Sequence, residues 1–285
     1  MKKKQALRKM RSDLELRGLS SDTQKMYLKN VKAFIKFSCI SIKKLNEDKA
    51  RDFLSYLIKE RNLAAKTVNT YSAAIRFFFA VTLNRPMNYL QIPRMKTPSQ
   101  LPVIATREEI AKLVDSCVNL KHKAMILLAY GSGLRISEIS RLRTSDIKTD
   151  GMRIFVLGGK GKKDRYTLLP QNALDALREY WKRTRPNNKE NWVFPSKSRL
   201  GHITTEGVSY AIESAALKSS IKTHITGHTL RHDFATHLLE DGVELVKIKE
   251  LLGHSSLKTT MIYLHLANTT ENVTSPADTL KQNRV

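Results

Sequence analysis

Residues 224–239 read HITGHTLRHDFATHLL, and the reading of this stretch decides the rest of the chain. His224, His228 and His232 recur at intervals of four, Arg231 precedes the last of them, and His237 follows further on. Residues four apart share a helix face, so these histidines could in principle supply ligands to a zinc ion. Three features argue against it. Gly227 disfavours a helix running back through His224, HExxH and neighbouring cysteines or paired carboxylates are absent, and Arg231 would set a fixed positive charge beside a dication. No metal is therefore expected. The other reading is an anion site, with His228 and Arg231 three residues apart near a helix start, where free backbone N–H groups add to the attraction.

A phosphodiester suits such a site. In a five-coordinate transition state negative charge spreads over the non-bridging oxygens, and fixed, planar guanidinium groups aimed at them lower the barrier. A second arginine, a nucleophile and an acid for the leaving group would complete it. The composition points the same way: 50 Lys+Arg against 26 Asp+Glu give a net charge of +24 over 285 residues, which suits a polyanionic partner. A membrane partner is not expected, because no run approaches the roughly 18–20 apolar residues of a spanning helix. MKKKQALRKMRSDLELRG lacks the apolar core of a secretion signal, so the expected location is the cytoplasm. Cys39 and Cys117 sit in no CxxC pair and read as two buried thiols in a reducing compartment.

Along the chain, Ser20, Ser21 or Asp22 can cap a helix with Tyr27, Val31, Phe34 and Ile35 inward. Lys25, Lys29, Lys32 and Lys36 stand on its other face without acidic partners one turn away, and so call for an anion alongside. A second helix is expected from Asn46, with Phe53, Leu54, Leu57 and Ile58 apolar. A third starts near Ala64, with Val68, Tyr71, Ile75 and Phe78 inward and Lys66, Asn69, Thr70, Ala73 and Arg76 on a small-and-basic opposite face suited to phosphates. RPMNYLQIPRMKTPSQLP, with four prolines, then marks a linker. The expected domains are 1–97 and 103–285.

In the second domain, Thr106 and Glu109 form a T-x-x-E capping box. HKAMILLAY reads as an apolar helix broken at GSG, and RIFVLGGKGKKDRYTLLP as a β-hairpin around a Gly/Lys turn. That turn lacks G-x-x-x-x-G-K-[ST] and precedes a strand, so nucleotide binding is not expected. Helices are expected over about 171–183, 205–218, 229–240 and 244–252, the last stopped by Gly253. A final helix from Ser255 or Ser256 should bury Leu257, Met261 and Leu264, which would turn Tyr263 away from the core and leave its hydroxyl free for a substrate.

GLRISE at 133–138, HTLRH at 228–232 and LGHSSLKTTMIYLH at 252–265 resemble, in order, the boxes of the tyrosine recombinase (phage integrase) family. The resemblance covers the whole chain. It implies a mainly α fold: a helical, SAM-like core-binding domain, then a mostly helical DNA breaking-rejoining domain with a small β-sheet. By the same resemblance, Arg135 and Arg231 clamp the scissile phosphate, His228 and His254 are further donors, and Tyr263 is the nucleophile. Lys160 matches the hairpin lysine that protonates the departing 5′ oxygen, with Lys162 and Lys163 as competitors; Lys162 otherwise counts as a DNA contact. His232 is taken as supporting, and His224 and His237 as core or surface residues.

The implied reaction is transesterification. Tyr263 would form a 3′-phosphotyrosyl link and free a 5′ hydroxyl, which attacks the partner duplex. Bond energy stays in the link, so no cofactor, ATP or metal is called for. The resemblance further implies a tetramer on two double-stranded DNA recombination sites, of this chain alone or with a partner recombinase, two domains clamping the duplex, and a tail from Ala267 that docks on a neighbouring subunit. No small-molecule substrate is expected. The chain looks Xer-like or like a mobile-element integrase, since it shows no added N-terminal arm-binding domain. Two other readings remain: a type IB topoisomerase that relaxes supercoils with the same catalytic group, and a non-catalytic DNA-binding regulator on the same fold.

Overall fold

Helix α1 (Lys3–Leu16) carries Ala6, Met10 and Leu14 at intervals of four, and all three are buried. Its charged residues outnumber that narrow stripe, which leaves the helical period hard to see in the sequence. The computed structural model describes residues 2–87, 94–97, 102–158, 164–184, 190–196 and 201–267, apart from the side chain of His265. It divides the chain into two compact units, Met1–Ser99 and Gln100–Val285.

In the first unit α1 is followed by α2 (Ser21–Ser38), α3 (Glu47–Lys59) and α4 (Ala65–Phe77), which runs on into a π-turn over Phe78–Thr82. Ser20 caps α2 by accepting the Thr23 N–H, and Asn46 caps α3 by accepting that of Lys49. Phe34, Phe53, Ile75 and Phe78 lie at the centre of the core. On α2 the buried face is Leu28, Val31, Phe34 and Ile35, so Lys25, Lys29, Lys32 and Lys36 all face solvent. Cys39, expected to be buried, is instead exposed in a left-handed conformation at the end of α2; Cys117 is buried.

Asn69 also departs from expectation. It is buried, and its amide donates to the Met95 carbonyl at 3.0 Å while its carbonyl accepts the Met95 N–H at 2.9 Å. The helical period put it beside Lys66, but an amide in α4 satisfies both backbone groups of a passing chain segment, and that draws it inward.

The second unit is built on α6 (Leu120–Gly131), whose Ala124–Ala129 run is buried on all sides. Helices α8 (Gln171–Thr184) and α9 (Thr205–Lys218) pack against it, as does α10 (Gly227–Glu240). Around these lie α5 (Arg107–Asp115), with its expected Thr106/Glu109 capping box, the short α7 (Ile136–Ser140), and α11 (Leu245–Leu252). The sheet is a three-stranded antiparallel meander of β1 (Ile147–Lys148), β2 (Arg153–Val156) and β3 (Arg165–Leu168), with Val156 opposite Arg165. The fold is mainly helical with one small sheet, as the sequence indicated. No described helix is long and apolar enough to cross a membrane.

The last segment overturns the sequence reading. It is not one helix but a single α-turn, α12 (Leu257–Thr260), followed by a 3-10 turn over Met261–His265. A 3-10 turn has three residues per turn, so Thr260 and Tyr263 fall on one line and are buried, Tyr263 at 1% exposure. Leu257, Met261 and Leu264, expected in the core, are 39%, 47% and 45% exposed. Met261→Ser should therefore change stability by less than about 0.5 kcal/mol, whereas Leu252→Ala, in the core cluster that includes Tyr263, should cost about 2–5 kcal/mol. Urea unfolding midpoints of the two variants check the assignment.

Candidate active site

Gly131 and Gly133 end α6, and Gly133 takes φ +59 in a loop that leads into α7. A Cβ there would lie 2.4 Å from the Phe234 ring, so glycine lets this loop close onto α10. Arg135 sits where the loop enters α7. Its backbone N–H donates to Glu138 Oε2 at 2.9 Å and its guanidinium to Oε1 at 2.7 Å. The pair is the i+3 contact the sequence allows, but it is part of a largely buried cluster rather than a surface ion pair.

The same carboxylate receives two more arginines. Arg165, from β3, forks onto both Glu138 oxygens at 2.9 and 2.7 Å, and Arg231, from α10, approaches to 3.9 Å. Burial alone would raise the Glu138 pKa; the hydrogen bonds and charge of Arg165, aided by Arg135, override it and hold the group at about 2. Arg231 is buried, and its guanidinium donates to the carbonyls of Gly133 and Leu252. Burial and the nearby Arg135 pull it down to about 9, still charged at neutral pH.

Helix α10 starts at Gly227, capped by Thr226, which accepts the Thr229 N–H. His224 thus precedes the helix, and the three evenly spaced histidines do not form one ligand face. Among the described residues no group of three or more His, Cys, Asp or Glu is gathered for a metal. His228 lies exposed in the first turn of α10. His237 is buried, with Nδ1 2.9 Å from the Tyr130 hydroxyl.

Tyr263 lies over this floor. Its hydroxyl is 3.1 Å from His232 Nδ1, and its ring runs nearly parallel to that of His254, 6.5 Å between centroids. Burial raises the pKa of the phenol, and the charges of Arg231 and Arg135 oppose that rise. His254 follows Gly253, which ends α11 at φ +64, and its Nδ1 is 3.0 Å from the Thr260 hydroxyl. Burial, then the arginines led by Arg231, lower the His254 pKa to about 4, so it is neutral at pH 7. Burial, His228 and Arg231 likewise lower that of His232.

The structure thus gathers Arg135, Arg231, His254 and Tyr263, with His228 on the helix that supplies Arg231. Lys160, Lys162 and Lys163 lie outside the described residues. Of the proposed DNA contacts in the first unit, Lys66 is exposed and Arg76 half-buried on α4. Sequence reasoning missed two participants. Arg165 faces inward while Tyr166 and Leu168 are exposed, the reverse of the usual apolar-inward alternation; its only signal was an arginine in strand period with a buried threonine. His232, taken as merely supporting, turns out to touch the Tyr263 hydroxyl.

The phage integrase family model matches residues 104–270, and that of the phage integrase N-terminal SAM-like domain matches residues 7–89. The chain is 34% identical over 253 residues to the tyrosine recombinase XerA of Thermococcus kodakarensis, covering 88% of this chain and 86% of that protein. Its fold resembles that of XerH site-specific recombinase bound to a palindromic difH substrate in a post-cleavage complex. There the TM-score is 0.68 at 22% identity, over 87% of this chain and 76% of that one. It also resembles the Tn1549 transposon integrase in complex with transposon right-end DNA, with a TM-score of 0.72 at 17% identity over 96% of each chain. The chain belongs to the phage integrase family and is a tyrosine-type site-specific recombinase.

Beneath the site, Asp233 fastens α10 to the start of the unit: Oδ1 accepts the Ala105 N–H at 3.0 Å, while the buried Oδ2 has no hydrogen-bond partner. Burial raises the Asp233 pKa to about 7, against about 3.9 in the unfolded chain. Between those values the folded chain holds a proton that the unfolded chain has lost, so stability falls as pH rises from about 4 to about 7. Melting temperatures across that window should drop more steeply for the wild type than for Asp233→Asn, which has no proton to lose there. Parallel profiles would count against a protonated Asp233.

Proposed function

We propose that the chain recombines double-stranded DNA sites by cutting and rejoining them through a 3′-phosphotyrosyl intermediate. One observation carries this reading: the Tyr263 hydroxyl rests on His232 within the field of Arg231 and Arg135. A phenol with an ordinary pKa near 10 is a weak nucleophile at neutral pH. Two fixed cations stabilise the phenolate as it forms, and a neutral His232 at 3.1 Å is placed to take its proton.

In this scheme Arg135 and Arg231 hold the non-bridging oxygens of the phosphate, with His228 and His254 as further donors. Tyr263 attacks phosphorus, the 5′ oxygen leaves with a proton from Lys160, and the freed 5′ hydroxyl later attacks the phosphotyrosyl link of the partner strand. The phosphodiester's energy is kept in that link, so neither ATP nor a metal takes part. Tyr263 is 1% exposed, so the phosphate meets its hydroxyl only when the turn over Met261–His265 shifts. Exposed lysines of α2, with Lys66 and Arg76 of α4 and Lys162, contribute contacts to the phosphate backbone, whose strength falls steeply with salt. The working form is a tetramer spanning two sites in the cytoplasm.

Incubation with a nicked duplex that traps the cleaved strand should give a covalent protein–DNA adduct with wild type in EDTA and none with Tyr263→Phe. An adduct that requires added divalent metal would contradict the scheme. Lys160→Ala should slow adduct formation by roughly 100-fold or more. A duplex with sulfur in place of the bridging 5′ oxygen should restore the rate, because a thiolate leaves without a proton; lack of rescue would move the acid to Lys162 or Lys163.

A further inference from the structure

The scheme above gives Arg165 no part, yet three attachments converge on its guanidinium. Nη1 and Nη2 fork onto the two oxygens of Glu138 at 2.9 and 2.7 Å, and Nε donates to the Leu251 carbonyl at 2.8 Å. The side chain is 6% exposed, too deep to touch DNA itself. Its aliphatic part also sets the path of the LGH segment. A Cβ on Gly253 would lie 2.7 Å from Arg165 Cδ, so the backbone that carries His254 is laid directly on this arginine.

The attachments join parts of the site that are far apart in sequence. Glu138 is bonded to Arg135 and lies 3.9 Å from Arg231, so the angle at which Arg165 holds the carboxylate bears directly on where the Arg135 guanidinium stands and sets the negative charge that faces Arg231. The Leu251 carbonyl lies in the last turn of α11, just before Gly253 and His254. Arg165 itself opens β3, paired with Val156 of β2, on the strand that leaves the Gly/Lys turn. A lysine in its place is a point charge without a planar fork and cannot make all three bonds at once.

We propose that Arg165 is a positioning residue for DNA cleavage: it seats the carboxylate shared by Arg135 and Arg231, and ties the His254 segment to β3, the second strand of the hairpin. The inference rests on reading the site as a phosphodiester-cleaving centre.

The test is single-turnover adduct formation on the nicked duplex, with the rate at saturating protein separated from the half-saturating concentration. Arg165→Met should lower the saturated rate about 100-fold, the scale expected when reacting groups are displaced by about an ångström. The half-saturating concentration should stay within about threefold, since uniform binding is untouched. Arg165→Lys should recover part of the rate. A group that merely supports the fold would leave the saturated rate of folded protein unchanged. That result, or a loss confined to half-saturation, would overturn the proposal. Should Arg165→Met fail to fold by circular dichroism, Arg165→Lys decides alone: a saturated rate equal to wild type overturns it. Absence of adduct with wild type would instead overturn the phosphodiester reading beneath it.

Discussion

The Glu138 carboxylate is the point on which the second unit depends. Three guanidinium groups, from the loop after α6, from β3 and from α10, converge where little water reaches them. Without a central anion they would repel one another at close range in a medium of low dielectric. With it, each arginine has a partner, and two carbonyls, those of Gly133 and Leu252, accept two of the five donors of Arg231. The cluster is therefore both a structural joint and a preassembled patch of positive charge. Orientation is settled at folding, and in the proposed reaction it does not have to be found again when a phosphate arrives.

The histidines divide the work differently. His254 and His232 are pushed towards the neutral form by burial and by the nearby positive charges, so the positive charge beside Tyr263 comes from arginine rather than from these two rings. Neutral rings can still donate or accept hydrogen bonds. This suits partners that hold a phenol in place more than partners that neutralise a phosphate.

Much of this was legible in the sequence, and the parts that were not have physical reasons. GLRISE, HTLRH and the LGH segment stood out because together, and in order, they resemble the boxes of the family, and Gly227 correctly separated His224 from the helix. The orientation of Tyr263 was misread because apolar spacing assumes 3.6 residues per turn throughout, and α12 gives way to a 3-10 turn. Arg165 was invisible because a buried charge runs against the pattern used to find cores; only its partner, from a segment 27 residues earlier in the chain, makes its burial tolerable. Asn69 was placed by helical period on an open face, but its bonds to Met95 draw it inward. Such long-range pairings leave no local trace.

The 3-10 turn also bears on how relatives of this chain can vary. Each residue in such a turn advances the side chain by about 120°. A one-residue deletion or insertion between His254 and Tyr263 would swing the phenol out of the core cluster it shares with Phe234 and Leu252 and bring a different side chain into its place. The outward-facing Leu257, Met261 and Leu264 carry no such constraint from the core. Over evolutionary time the length of this interval should be held far more strictly than its composition, a pattern that counting gaps, and not matching letters, would reveal.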